Sequence, residues 1–132
     1  MVSDRELLGL AFRATRWSYA PYSRFKVGAA LLLSSGEIIL GSNVENASYG
    51  LSMCAERVAV FKAVSMGKTR FKAIAVVSRK RNPVYPCGAC RQVLREFNPA
   101  IKIITAGKNR KPLMTSLKKL LPKSFGPEDL SK

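Results

Sequence analysis

The stretch Cys54-Ala55-Glu56-Arg57 and the later stretch Pro86-Cys87-Gly88-Ala89-Cys90 contain all three cysteines of the chain. The chain has no histidine, so Ser-His and Cys-His nucleophilic machinery is excluded and thiolate is the only soft metal ligand. A structural zinc site is usually closed by four protein ligands, whereas a catalytic site has three and leaves one position open. The two stretches therefore predict a catalytic zinc site held by Cys54, Cys87 and Cys90.

Glu56 supplies the acid-base group that such a site needs. It lies too close to Cys54 along the chain to be a convenient fourth ligand. It can, however, reach a metal-activated water and move its protons. The pattern indicates hydrolysis at an electrophilic carbon.

Both cysteine stretches are expected to begin helices, because residues 58–64 and 93–97 have apolar side chains at helical spacing. Pro86 suits a helix start, and the partial positive charge of a helix N-terminus lowers the pKa of a thiol. Three thiolates on one zinc ion leave a net negative site. Arg57 and Arg91 are placed to hydrogen-bond to sulfur and withdraw charge; the alternative is that both are ordinary surface arginines.

Other interpretations of the cysteines are possible. A free cysteine is often a buried small apolar residue. A disulfide is disfavoured by the odd number of cysteines and by the absence of a secretory signal, from which we expect a cytoplasmic protein with reduced thiols. A zinc-stapled nucleic-acid-binding module would need a fourth ligand, which only Glu56 could supply.

The two cysteine stretches, together with Asn43-Val44-Glu45-Asn46-Ala47-Ser48-Tyr49, resemble the short, homotetrameric cytidine deaminases. Residues 20–30 and 120–130 also resemble that family, so the likeness runs nearly end to end. Zinc deaminases of nucleobases carry a three-ligand zinc with a non-ligand glutamate and a P-C-x-x-C second half. Blasticidin-type deaminases share the zinc motifs, but residues 43–49 fit the cytidine deaminases better.

The resemblance implies a role for individual residues. Cys54, Cys87 and Cys90 would hold one Zn²⁺, and Glu56 would move protons from the activated water to ring nitrogen N3 and to the leaving amine. The product would be uridine or deoxyuridine with release of ammonia, a step of pyrimidine salvage. The substrate would contact Phe25 beside the pyrimidine, Asn43 and Glu45 at the ribose hydroxyl, Ala47 and Tyr49 around the ribose, the backbone at Ala55, and Phe125 from a neighbouring subunit.

Each of these substrate residues also has a plainer interpretation. Phenylalanines usually pack in cores, and residues 43–46 could be a polar loop that closes a strand. Glu45 is one of only eight acidic residues in the chain, which favours a functional role. Deamination of polynucleotides is a second enzymatic hypothesis; it would require an open groove to the zinc, and the expected sealing of the pocket by Phe125 argues against it.

One domain spanning residues 1–132 is predicted from the length and the 47% hydrophobic content. The Ser3 to Glu6 capping-box pattern should begin a helix that runs to about Tyr19. Strands are predicted over 26–33 and 37–41, joined by a hairpin turn at 34–36, and over 71–78 and 101–105. The strand-helix-strand-helix-strand order that begins at 37–41 predicts parallel pairing. The family resemblance implies a three-layer α/β/α fold with a five-stranded mixed sheet.

The chain has 23 lysines and arginines but only eight acidic residues, which gives a formal charge of +15. Basic residues concentrate in segments 68–72, 79–81 and 108–111. One interpretation is a solvated cationic surface; the other is salt-dependent, nonspecific adhesion to RNA or DNA. No apolar run has membrane-spanning length.

Overall fold

The computed structural model describes residues 2–130. Its helices and strands follow one another in the order α1 (Asp4–Ala14), β1 (Val27–Leu33), β2 (Ile38–Ser42), α2 (Ala55–Ser65), β3 (Phe71–Ser78), α3 (Gly88–Phe97), β4 (Lys102–Ala106), β5 (Pro112–Ser116) and α4 (Leu117–Leu120). Short 3₁₀ turns lie at Thr15–Trp17, Tyr49–Leu51, Lys108–Arg110 and Pro127–Leu130.

The five strands form one mixed sheet in the order β2-β1-β3-β4-β5. Only β3 and β4 pair in parallel, while β1 pairs antiparallel with both β2 and β3, and β5 pairs antiparallel with β4. The predicted hairpin of β1 and β2 is confirmed by their antiparallel pairing. The prediction of parallel pairing was right for β3 with β4 but wrong for β2 with β3, because β1 lies between them. Because β2 and β3 flank β1 and are both antiparallel to it, they run in the same direction without touching.

Two apolar layers cover the sheet, which confirms the predicted three-layer α/β/α fold. Alternate residues of β1 face opposite sides, as the two-residue period of a strand requires. Ala29 and Leu31 belong to the cluster packed under α2 and α3. Ala30 and Leu32 belong to the cluster under α1, with Leu7 and Leu8 of that helix.

Helix α1 begins as predicted and ends earlier than predicted. The Ser3 side chain accepts a hydrogen bond from the Glu6 amide, and the Glu6 side chain accepts one from the Ser3 amide, so the capping box is confirmed. The helix was expected to reach about Tyr19 but ends at Ala14. Tyr19 is drawn into extended pairing with Val44, where its N–H donates to the Asn43 carbonyl at 2.9 Å.

Strand β5 was not among the strands predicted from local pattern. It begins with Pro112, lies at the edge of the sheet and is only partly buried, so its side chains lack a clear apolar alternation. Proline is tolerated at such an edge because its missing N–H faces no partner strand. Within residues 2–130, none of the helices has the length and apolar character needed to span a lipid bilayer.

Helix α2 approaches the sheet very closely at Gly41, on β2. A Cβ atom at this position would lie 2.3 Å from the Ala55 carbonyl oxygen and 2.7 Å from the Ala59 nitrogen. Both contacts are with the backbone of α2, which cannot rotate away as a side chain could. The absence of a side chain at Gly41 therefore sets how near the first turn of α2 lies to the sheet.

Replacing Gly41 with alanine should destabilise the fold by about 1–3 kcal/mol or more, because α2 would have to move off the sheet. Gly9→Ala is the matched control: Gly9 lies in α1, and apart from its chain neighbours and the nearby backbone of the helix, a Cβ atom added there would have no atom within 4 Å. Alanine at that position should stabilise the helix by about 0.5–1 kcal/mol. Urea unfolding of both variants measures the difference. Equal stability of Gly41→Ala and the parent chain would contradict the close-contact argument.

Candidate metal centre and pocket

The three cysteines meet where two helices begin. Cys54 is the N-cap residue of α2 and Cys87 is the N-cap residue of α3, while Cys90 lies buried in the first turn of α3. The Sγ atoms of Cys54 and Cys87 are 3.9 Å apart, those of Cys87 and Cys90 are 3.6 Å apart, and all three lie within 4.8 Å of one another. The structure thus brings together the three residues that the sequence analysis assigned to one metal.

The donor set fits zinc. Tetrahedral zinc with Zn–S bonds of about 2.3 Å separates its sulfur ligands by roughly 3.8 Å, which is close to the two S–S separations in the structure. Three sulfur donors without imidazole suit a thiophilic ion and do not suit calcium or magnesium. The cluster therefore fits a three-thiolate zinc centre with room for one further ligand.

Electrostatics favour a thiolate at Cys54. The neighbouring Cys90 thiol and the Arg57 guanidinium lower the pKa of Cys54 to about 5. Contact with the Cys54 sulfur and burial raise the pKa of Cys90. Arg57 Nη2 donates to Cys54 Sγ at 3.4 Å, while Arg57 Nε is buried without a hydrogen-bond partner among residues 2–130. Arg57 thus places positive charge beside the sulfur cluster.

Arg91 has other partners. Its Nε atom donates to the Pro86 carbonyl at 2.7 Å, and its Nη1 atom donates to the Leu120 carbonyl at 2.8 Å. These bonds tie the residue before Cys87 to the end of α4. Arg91 therefore holds the loop that carries a cysteine and makes no hydrogen bond to sulfur in the part of the chain that the structure describes.

Glu56 is the only carboxylate in the first turn of α2 and is 4% exposed. Burial, with a further contribution from the nearby Cys54 thiolate, raises the pKa of Glu56 to about 7. A carboxyl group with a pKa near neutrality can both accept and deliver a proton under physiological conditions.

A pocket of 260 Å³ opens beside the cysteines. Its apolar wall includes Phe25, Val27 and Val84, and its polar lining includes Asn43 and Glu45. The pocket is completed by Ser52, Met53, Cys54, Ala55, Glu56, Tyr85 and Cys87. Seven residues predicted from the sequence therefore line one cavity: Phe25, Asn43, Glu45, Cys54, Ala55, Glu56 and Cys87.

Asn43 and Glu45 are already hydrogen-bonded to the protein. Asn43 Oδ1 accepts from the Val27 N–H at 2.9 Å, and Asn43 Nδ2 donates to the Phe25 carbonyl at 2.8 Å. The Glu45 carboxylate accepts from the amides of Tyr22 and Ser23 and from the Ser23 hydroxyl, and the last contact lowers the pKa of Glu45. Both side chains are thus fixed in orientation and keep unused hydrogen-bonding capacity.

Three predicted substrate residues do not line this pocket within one chain. Ala47 is exposed. Tyr49 lines an adjacent hollow of 310 Å³, which shares Glu45 and Ser52 with the first. Phe125 is 57% exposed, and its carbonyl accepts a hydrogen bond from Gln92 Nε2 at 2.9 Å.

Several lining residues were missed by the sequence analysis. Val84 and Tyr85 enter the pocket from the loop between β3 and α3, and the Val84 amide is fixed by the Thr105 hydroxyl at 3.0 Å. Their position just before Pro86 and Cys87 is the feature of the sequence that could have predicted Val84 and Tyr85 as pocket residues. Val27, Ser52 and Met53 gave no chemical signal, because they resemble ordinary strand and loop residues.

Comparisons with known proteins agree with this chemistry. The family described as "Cytidine and deoxycytidylate deaminase zinc-binding region" matches residues 1–107. The cytidine deaminase of Halalkalibacterium halodurans is 48% identical over 130 residues, covering 97% of this chain and 98% of that protein. Crystal structures of cytidine deaminases from Burkholderia pseudomallei and Mycobacterium tuberculosis superpose with TM-scores of 0.89 and 0.82 at 45% and 42% identity. They cover 94% and 96% of this chain, and 100% and 99% of their own chains.

The low pKa of Cys54 predicts how the metal-free protein reacts with an alkylating reagent. The folded-state pKa of Cys54 is about 5, so Cys54 should stay ionised and react with the reagent down to about that pH. An ordinary thiol, with a pKa of about 8.5, would lose this reactivity below about pH 8.5. Arg57→Gln should raise the midpoint, which is the pH at which alkylation of Cys54 reaches half its maximal rate. Arg91→Gln is the control, because Arg91 touches carbonyls and should leave the midpoint unchanged. Peptide mapping after timed alkylation measures Cys54 alone; a midpoint above about pH 8 in the parent chain would refute this electrostatic account.

Proposed function

The chain belongs to the family of zinc-binding cytidine and deoxycytidylate deaminases, and we propose that the pocket beside its cysteines is where cytidine and deoxycytidine are deaminated. The chain is a cytidine deaminase, a zinc-dependent hydrolase that converts these nucleosides to uridine and deoxyuridine and releases ammonia. One observation carries the assignment of the site: two ligand sulfurs, buried Glu56 and the Asn43 and Glu45 pair all line a single cavity.

Cys54, Cys87 and Cys90 would hold a zinc ion that would supply a Lewis acid and an activated water at neutral pH. Glu56 performs the proton transfers. Its carboxylate takes a proton from the attacking water and delivers it to ring nitrogen N3 as the water oxygen bonds to C4. It then takes the remaining proton from that oxygen and delivers it to the amino group, so that the C4–N bond breaks, the C4 carbonyl forms and ammonia leaves. Burial of Glu56 raises its pKa to about 7, which makes both directions of transfer accessible at the same pH.

The nucleoside is oriented from two sides. Phe25 and Val84 provide apolar contact for the pyrimidine and exclude water, while the first turn of α2 at Ala55 presents backbone N–H groups that lack intrahelical partners. At the other end, the spare N–H of Asn43 and the spare lone pair of Glu45 can bind one ribose hydroxyl as donor and acceptor. Recognition through the 3′-hydroxyl would admit both cytidine and deoxycytidine.

A homotetramer with pockets shared between subunits is the proposed assembly. Within one chain Val44 is 46% exposed, Tyr49 76%, Leu51 69% and Phe125 57%, so these apolar side chains would be covered only by another subunit. Phe125 and the exposed residues Ala47 and Tyr49 would complete the pocket of a neighbouring chain. A pocket shared between subunits would thus explain why Ala47, Tyr49 and Phe125 do not line the pocket of their own chain.

The cellular role follows from the reaction. Deamination of free cytidine and deoxycytidine is a step of pyrimidine salvage, and we place it in the cytoplasm, where thiolate ligands stay reduced. The whole chain of residues 1–132 is proposed to act as one catalytic domain, since both apolar layers pack on the same sheet.

Glu56→Gln should keep zinc and the fold while lowering turnover of cytidine by about 10²–10⁴-fold, because the amide cannot carry the proton. The absorbance change from cytidine to uridine gives the rate, and metal analysis gives the zinc content. Glu96→Gln is the matched control, since Glu96 is an exposed carboxylate on α3 outside the pocket. Wild-type turnover in Glu56→Gln would refute the proton-transfer role.

Phe125→Ala should raise the KM for cytidine without changing the zinc content, because the missing ring belongs to the substrate pocket of a neighbour. Mixing this variant with Glu56→Gln provides a sharper test. In mixed oligomers some pockets combine an intact Glu56 with an intact Phe125 from the other chain, so turnover at low cytidine should exceed the sum of the two separate variants. Simple additivity after subunit exchange would contradict the shared pocket.

A further inference from the structure

The eight acidic residues of this chain form no ion pair, within residues 2–130, with one strongly basic region of its surface. All eight are among the described residues. Asp4, Glu37 and Glu128 form ion pairs with Lys102, Lys68 and Arg95. Glu6 completes the capping box, Glu45 binds Ser23 and backbone amides, Glu56 is buried in the pocket, Glu96 lies on α3, and Asp129 accepts from the Gly126 amide.

The topology gathers basic residues at one edge of the sheet. Because β3 and β4 are parallel, their carboxyl ends lie at the same edge. Arg79 follows the end of β3, and Lys108 follows the end of β4 closely. The end of α1 reaches the same place. We call this surface the basic edge, and it consists of Arg16, Arg79, Lys80, Arg81, Lys108, Arg110 and Lys111, which are all exposed.

Direct contacts hold the basic edge together. Arg79 Nε donates to the Thr15 hydroxyl at 2.6 Å, and Arg79 Nη2 donates to the Phe12 carbonyl at 3.4 Å. The guanidinium carbon of Arg110 lies 4.2 Å from the centroid of the Phe12 ring. Two arginines from different loops therefore meet at the same residue of α1, so the charges are arranged in space and not merely adjacent in sequence.

None of the basic-edge residues forms a salt bridge within residues 2–130. Like charges held this close repel one another, so the folded chain carries an electrostatic cost that a bound polyanion would remove. The same repulsion disfavours the packing of a second copy of this chain on this surface. A phosphate backbone is the polyanion whose regular charges suit a row of lysines and arginines.

An exposed aromatic residue borders the basic edge. Trp17 is 62% exposed, and the guanidinium carbon of Arg16 lies 5.3 Å from the centroid of its ring. An exposed indole beside arginine is a surface on which an unpaired base can stack. An acidic peptide or an anionic lipid headgroup would use the charges but has no planar base to place on the indole.

We propose that the basic edge binds single-stranded nucleic acid, with phosphates on its lysines and arginines and a base stacked on Trp17. The cluster is made of residues outside the deamination pocket, so binding does not require a cytosine. This property is separate from nucleoside deamination and would hold even if the assignment of the pocket were wrong.

The binding experiment uses zinc-loaded protein and fluorescently labelled oligouridylate or oligodeoxythymidylate, neither of which contains cytosine. Anisotropy should report binding that weakens by on the order of 10³-fold between 50 and 200 mM salt, as several phosphate contacts require. Trp17 is the only tryptophan, so quenching of intrinsic fluorescence reports stacking directly. Comparison of the two oligomers tells whether RNA or DNA is preferred.

Two charge-matched variants test the location. Replacing Lys80, Arg81, Lys108 and Lys111 with glutamine should weaken binding on the order of 10²-fold and reduce the salt slope by about 3. The control replaces Arg5, Arg70, Lys118 and Lys119, which are exposed elsewhere, and should bind nearly as the parent chain does. Cytidine turnover should be unchanged in both variants. Trp17→Ala should weaken binding by roughly 5- to 150-fold.

Several results would overturn the proposal. Equal loss of affinity in the two charge variants would mean that net charge alone attracts the oligomer. Unchanged tryptophan fluorescence on saturation would remove the stacking. Equally tight binding of polyglutamate or of phosphatidylserine vesicles, with the same fluorescence change, would assign the basic edge to anions in general.

Discussion

The metal centre depends on two helices that begin at the same edge of one sheet. Strands β2 and β3 run in the same direction on either side of β1, and β3 and β4 are parallel neighbours. Helices α2 and α3 follow β2 and β3, so both begin at the carboxyl edge, where Cys54 and Cys87 are the N-cap residues. Their free N–H groups and partial positive charge stabilise thiolates. The same topology brings Asn43, Glu45 and Tyr85 to this edge, because each follows the end of a strand.

Local chemistry made the centre predictable from sequence, whereas the full strand order was not. The spacing of Cys87 and Cys90 places both sulfurs on one helical turn, and Glu56 follows Cys54 in the first turn of α2; neither fact requires knowledge of the fold. The antiparallel insertion of β1 between β2 and β3 leaves no local signature, since all seven residues of β1 are buried. The early end of α1 likewise arises from the pairing of Tyr19 with Val44, a contact between distant segments.

Two interpretations of residues 43–46 turn out to be compatible. As a polar loop, Asn43 closes the end of β2 by bonding the backbone on both sides of Lys26, at Phe25 and Val27. As a pocket residue, it faces the cavity with hydrogen-bonding capacity to spare. The proposed role in substrate binding would depend on these structural bonds, because an amide held at both ends presents its remaining N–H in a fixed direction. The sequence alone does not show that the two interpretations are compatible, because Phe25 and Val27, the partners of Asn43, lie on a different segment of the chain.

The segment that carries Phe125 is held firmly although its ring is exposed. Arg95, 8% exposed, donates to the Ser124 hydroxyl at 2.7 Å and pairs with Glu128. A Cβ atom at Gly126 would lie 2.4 Å from the Arg95 guanidinium, so the chain passes directly over this side chain. Ordering this loop costs conformational entropy. Within one chain the exposed Phe125 ring does not offset that cost, because it buries little apolar surface. An exposed ring held in this way suits association with another copy of the chain, whereas repulsion between two basic edges disfavours association there.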